Sequence, residues 1–183
     1  KINNQPIKFK IMKTKLSIVI IVFLAFLSLG CKQKEEEKIV VEVIEAPIDL
    51  INDEFPEAQK EIIETFGAIT QSLKDGDMNK LISFHAYGPK FTEFKKGEPR
   101  NDGTANEAFE REVFGSVTEV VKFDAKDLKI AVYGDVANVT FHSDFHLKFG
   151  EDLVIVNDQI TLLFVKVGND WKIVHEHHSP LKQ

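Results

Sequence analysis

Between Glu57 and Leu73 the apolar residues fall at Ala58, Ile62, Phe66, Ile69 and Leu73. That three- to four-residue step predicts an amphipathic helix, with Pro56 suited to its first turn and Gly76 to its stop. Asp77 is placed to cap a shorter helix over Met78 to Phe84, ending near Gly88-Pro89. Phe91-Thr92-Glu93-Phe94 is short and β-prone, and Thr104-Ala105-Asn106-Glu107 has the spacing of a capping box, predicting a third helix through Phe114. From Val117 onward the hydrophobic period changes from that of a helix to that of a strand. Leu128, Ile130 and Val132 alternate with Lys129 and Ala131, and Gly134-Asp135 turns the chain into Ala137, Val139, Phe141, Phe145 and Leu147. The intervening positions, Asn138, Thr140, His142, Asp144 and His146, are polar. Gly150-Glu151-Asp152 precedes a run from Val154 to Val167, and Gly168-Asn169-Asp170 leads into Trp171 to Ser179, closed by Pro180. Helices followed by hairpin-linked strands make an α+β order with antiparallel neighbours. A twisted sheet of about four to five strands, wrapped against three N-terminal helices, gives a cone-shaped half-barrel whose open end is a pocket. This domain spans residues 56–180.

Composition narrows the picture. In 183 residues, a 43% hydrophobic share with fifteen Phe supports one core and argues against disorder. The single Cys excludes a disulfide framework and a Cys-rich zinc module. Leu16 to Gly30 is an unbroken uncharged run behind Lys13 and Lys15, too short to cross about 30 Å of hydrocarbon comfortably. Its pattern is that of a secretory signal, with Met12 as the natural initiator. Residues 1–11 are then an upstream remnant and residues 12–30 the signal peptide. The ending Leu27-Ser28-Leu29-Gly30-Cys31 resembles the lipobox of bacterial lipoproteins, although Ser28 stands where that pattern has Leu. The resemblance implies lipidation of Cys31 and attachment to the membrane through that lipid.

Cleavage before Cys31 removes five lysines and no acid, leaving 18 basic against 29 acidic residues, a net charge of −11 on 153 residues. Such a chain repels nucleic acid, which is excluded as a partner. Residues 31–55 form a charged tether opening with Lys32-Gln33-Lys34-Glu35-Glu36-Glu37-Lys38, in which Ile39 to Ile44 could pair as an edge strand or stay extended. A basic-then-acidic tag after the lipidated Cys also resembles the signal that sends some gram-negative lipoproteins to the outer surface. The expected location is the cell envelope, as an outer-membrane lipoprotein facing the periplasm or the surroundings.

Tyr133-Gly134-Asp135-Val136-Ala137 at the hairpin, and Thr161 leading to Trp171-Lys172-Ile173-Val174-His175-Glu176-His177-His178-Ser179, carry a family resemblance. They are similar to the SnoaL-like branch of the nuclear transport factor 2-like superfamily, near the group that includes the association domain of calmodulin-dependent kinase. The resemblance implies a cone-shaped α+β domain, commonly a homodimer through the sheet. It also implies a range of roles, from isomerases, cyclases and dehydratases to binding modules without chemistry.

His175 and His177 share one face of a strand, about 6.6 Å apart. They could meet a ligand, or serve as hydrogen-bonded core histidines tying Ser179 to the sheet. No metal is assigned, since His142 and His146 lie on the polar side of another strand. A pocket lined by Phe141, Ser143, Phe145, Leu162, Phe164, Ile173, His175 and His177, with Tyr87 at its mouth, favours a small apolar or amphipathic ligand. The same Phe side chains could instead fill the cone. Ketosteroid-isomerase-like members pair a carboxylate base with phenolic or acidic donors. Here the phenols are Tyr87 and Tyr133, and Glu93 is expected to face solvent. In the kinase association domain pocket arginines line the central strands; the matching positions here are Ser143 and Leu162, and Arg100 and Arg111 fall outside the sheet. Nucleophile-elbow, dinucleotide-loop and Cys-x-x-Cys motifs are absent, and no cofactor is expected. Two functions follow: binding of a small molecule or partner protein without catalysis, or an isomerase or dehydratase with His177 as acid or base and Tyr87 as donor.

Overall fold

The computed structural model describes residues 47–182. The expected signal peptide, the lipidated Cys31 and most of the tether lie outside the described residues. Among the described residues no helix is long and apolar enough to cross a membrane.

Three helices come first: α1 (Pro56–Lys74), α2 (Met78–Ser83) and α3 (Gly103–Gly115), with the short strand β1 (Thr92–Lys95) between the second and third. Pro56 opens α1, and Gly76 leaves it at a φ of 66°, a left-handed turn that glycine adopts without strain. Asp77 caps α2 by accepting a hydrogen bond from the Lys80 amide. The cap of α3 differs from expectation. Asp102, two residues before Thr104, accepts from the Ala105 amide at 2.9 Å, and Glu107 pairs with Arg111 instead of closing a capping box. A Cβ at Gly103 would sit 3.0 Å from the Tyr87 ring, so glycine lets the helix start close against that ring.

Five strands follow: β2 (Glu119–Tyr133), β3 (Val136–Phe149), β4 (Asp152–Val156), β5 (Asp158–Val167) and β6 (Asp170–Pro180). With β1 they form one curved six-stranded sheet ordered β1-β6-β5-β3-β2, in which β4 pairs with β3 alone. The run expected as a single strand from Val154 to Val167 is broken at Asn157. Its first part pairs with the end of β3 and its second with the start of β3. Ser143 holds the break: its hydroxyl donates to the Val156 carbonyl at 3.0 Å and accepts from the Asp158 amide at 2.7 Å. β1 runs parallel to β6, with Glu93 opposite Glu176. Such a pairing needs a long crossover, here supplied by α3 and strands β2 to β5.

The core lies between α1 and the inner face of the sheet. Ile62, Val139 and Phe164 are fully buried there, and Phe66 of α1 meets Phe141 edge to face at 5.4 Å. Glu61 ties the helix to the sheet by accepting from Trp171 Nε1 and Lys166 Nζ.

Candidate functional site

Strict alternation along β6 would put Ile173, His175 and His177 on one face. The strand instead carries a bulge: Leu163 lies opposite His175 while the next residue, Phe164, lies opposite Ile173, so Val174 is extra. One inserted residue reverses the phase of every side chain beyond it. Trp171 and Ile173 point inward before the bulge, and Glu176 and His178 point inward after it. His175 and His177 therefore face outward, which corrects their expected place in the pocket. His177 is exposed against Phe94, and His175 Nδ1 lies 2.8 Å from the Thr92 hydroxyl.

Glu176 is the centre of what takes their place. Its Oε1 lies 2.8 Å from His85 Nε2, and its Oε2 is 3.3 Å from both His178 Nε2 and Asn106 Nδ2. Asn106 in turn accepts from the Tyr87 hydroxyl, and the Tyr87 ring stacks on His85 with centroids 5.0 Å apart. Local folding explains each position. His85 follows α2, where the backbone of Phe84 and Ala86 is pinned to Ile173 by two 2.8 Å hydrogen bonds. Asn106 and Glu110 are one turn apart on α3 and share its buried face. The parallel register delivers Glu93, fully buried and not solvent-facing as expected, where it accepts from Asn101 at 2.9 Å and has Lys95 Nζ at 2.9 Å.

The electrostatics divide the two inner carboxyls. Burial opposes charge on Glu176, but hydrogen bonds from His178 and His85 outweigh it and hold the group ionised, below the usual carboxylate range. Burial, reinforced by that neighbouring charge, pushes Glu110 up to about 8, so it is protonated at neutral pH. Burial also works against charge on His85 and His178, yet Glu176 raises both. Burial, then the nearby carboxylates, raise Tyr87, which stays a phenol. Glu110 has no side-chain hydrogen-bond partner among the described residues, in contrast to Glu176.

Two cavities share Glu110, Phe114, Phe145, Ile160 and His178 as a wall. The inner one, 80 Å³, is lined by Phe66, Phe123, Phe141, Leu162 and Ile173. The outer one, 340 Å³, runs between α3 and β4 past Phe149 and Val154 and is lined as well by Lys95, Lys96 and the buried Asp158. Of the expected pocket residues, Phe141, Phe145, Leu162 and Ile173 line these spaces. Phe164 is packed in the core and Ser143 is spent on the β4–β5 break. Tyr87 abuts the cluster from outside and lines a separate 460 Å³ cleft with Gly88 and Gly103. A further 260 Å³ cleft beside α1 has its charges engaged, Glu61 with Lys166 and Lys172 with Asp170. The polar residues Asn106 and Glu110 on the apolar stripe of α3 were a legible signal for the site; His178 and Glu176 were hidden by the bulge.

The sequence profile of the SnoaL-like domain family matches residues 62–183. No curated protein matches the chain. Among solved structures, a candidate dehydratase of the nuclear transport factor 2-like family from Streptomyces avermitilis is similar at 19% identity and a TM-score of 0.61, covering 70% of this chain and 100% of its own. A candidate calcium/calmodulin-dependent kinase II association domain from Exiguobacterium sibiricum is similar at 13% identity and 0.58, covering 72% and 98%. A nuclear transport factor 2-like protein of unknown function from Pseudomonas putida is similar at 21% identity and 0.57, covering 72% and 92%. At these identities the likeness is one of fold.

Proposed function

The chain belongs to the SnoaL-like domain family, and from that premise we propose that it is a binding domain, held at the bacterial cell envelope by a lipid on Cys31, that takes one small amphipathic molecule into the cavity beneath α3. The observation that carries this reading is Glu110, a largely buried residue with no side-chain hydrogen-bond partner among the described residues, in the wall of a 340 Å³ space that is otherwise largely apolar inside. That volume falls at the lower end of the range of about 300 to 1,000 Å³ used by small-molecule sites. Phe145, Leu147 and Phe149 receive the apolar body, and Glu110 with His178 orients the polar end. The anchor is supported by the apolar run that ends at Cys31, and the envelope location by the same signal. A homodimer through the outer sheet face belongs to this reading, supported by the half-buried Thr161, Leu163 and Val165 along β5.

A second reading, proton-transfer catalysis of an isomerisation or dehydration, is favoured by the opposite protonation states of Glu110 and Glu176. It moves the acid–base role from His177, which faces outward, to Glu110. Thermal-shift titration of the full chain against small amphipathic metabolites tests both. A true ligand at a hundred times its dissociation constant adds about 2.7 kcal/mol of stability, and a uniformly flat response would sink the binding reading. Conversion of a hit to product, lost in Glu110→Gln, would establish the catalytic one.

A further inference from the structure

Among the described residues, two buried side-chain atoms make no hydrogen bond, His85 Nδ1 and Glu93 Oε1, the latter meeting only the Lys95 ammonium at 2.9 Å, and both belong to the cluster around Glu176. Glu93, Glu176 and His178 each offer one ligand atom, and the three lie within 4.8 Å of one another. From this geometry we propose that Glu93, Glu176 and His178 form a binding site for one divalent transition-metal ion. This goes beyond the cavity reading and does not depend on it.

The scaffold is suited to the task. Glu93 and Glu176 face each other across the parallel β1–β6 ladder, and His178 stands two residues along on the same side as Glu176. Bond lengths of about 2.1 Å place ligands of a tetrahedral ion about 3.4 Å apart, so a small contraction completes the set. Supporting hydrogen bonds are already in place: Asn101 on Glu93 Oε2, His85 on Glu176 Oε1 and Asn106 on Glu176 Oε2. Such supports orient ligands and sustain affinity. Two carboxylates balance a divalent charge, and the imidazole favours a borderline ion such as zinc or cobalt over magnesium or calcium, which take oxygen ligands. His178 borders both cavities, giving an ion a route in and a ligand position open toward Glu110.

The resident cation is Lys95, whose ammonium lies 2.9 Å from Glu93 Oε1 and against the Phe109 ring. It competes with the metal, and this gives the proposal a prediction of unusual sign. Purified full chain, stripped with EDTA, is titrated with Co²⁺ and followed by its visible absorption, then challenged with Zn²⁺ and Mg²⁺. The expected result is one Co²⁺ per chain, displaced by Zn²⁺ and not by Mg²⁺. Glu93→Gln and His178→Gln should each weaken binding by about 10- to 100-fold, on the scale of losses at metal sites, with circular dichroism reporting the fold. Lys95→Met should tighten it, and the outer-face double variant His175→Gln/His177→Gln should leave it unchanged. No stoichiometric binding, binding indifferent to Glu93→Gln and His178→Gln, or binding lost in the outer-face variant would each overturn the site.

Discussion

Glu110 and Glu176 illustrate how surroundings assign different chemistry to identical side chains. A carboxyl raised in the folded state favours folding while it is protonated, so its contribution is complete below the unfolded value and is lost as pH rises through about 8. Glu176, depressed by its histidine hydrogen bonds, works the other way and loses its contribution only on strong acidification. Glu110→Gln removes the first effect and leaves the hydrogen bonds of Glu176 with His85 and His178 in place. Denaturant midpoints of the variant should therefore gain on the wild type between pH 5 and pH 8, and a constant difference would contradict the assignment. Individual side chains were partly legible beforehand: Phe141, Phe145, Leu162 and Ile173 follow from alternation, because each lies where the period-2 rule is undisturbed. Glu93 escaped, since its burial depends on a parallel neighbour eighty-three residues distant, Glu176, and nothing local to Phe91-Thr92-Glu93-Phe94 encodes that pairing.

At the scale of elements, helices are the more local problem and were the better read. Pro56, Gly76 and Asp77 act within a turn of where they stand. The start of α3 shows the limit of such motifs, because Thr104-Ala105-Asn106-Glu107 fits a capping box while Asp102 holds the position. Asp102→Ala should cost about 1 kcal/mol, measured by urea unfolding, and Thr104→Ala should be close to neutral; the reverse order would reinstate the box. Strands resist this kind of reading at their irregularities. The extra residue at Val174 is a property of the pairing between β5 and β6, and the break at Asn157 is a property of Ser143 on a third strand. Both therefore appear only once the sheet is assembled, and the first of them exchanges the histidines outside for the Glu176–His178 pair inside.

For the whole molecule, one sheet and one helix layer enclose a continuous core, so unfolding is expected as a single transition. Phe164, fully buried between α1 and the central strands, tests that continuity. Phe164→Ala should cost about 3 to 5 kcal/mol, and the loss should register equally in far-ultraviolet dichroism and in the fluorescence of Trp171, the sole tryptophan. Separate transitions would mean that the two layers melt apart. The cone outline was legible from element order, while the cavities were not, because whether phenylalanines fill a space depends on where the α3 helix rests above them.

Because β1 is a four-residue strand at the margin of the sheet, held on one side by β6 and on the other by a single bridge between Glu93 and Asn101, Glu93 enters the interior from the outermost strand of the ladder. Short margins of this kind open at lower free energy than the centre of a sheet. Fraying there would take one carboxylate out of the cluster while the rest of the sheet stood intact, leaving the assembled and dismantled states of the site separated by the peeling of a single strand.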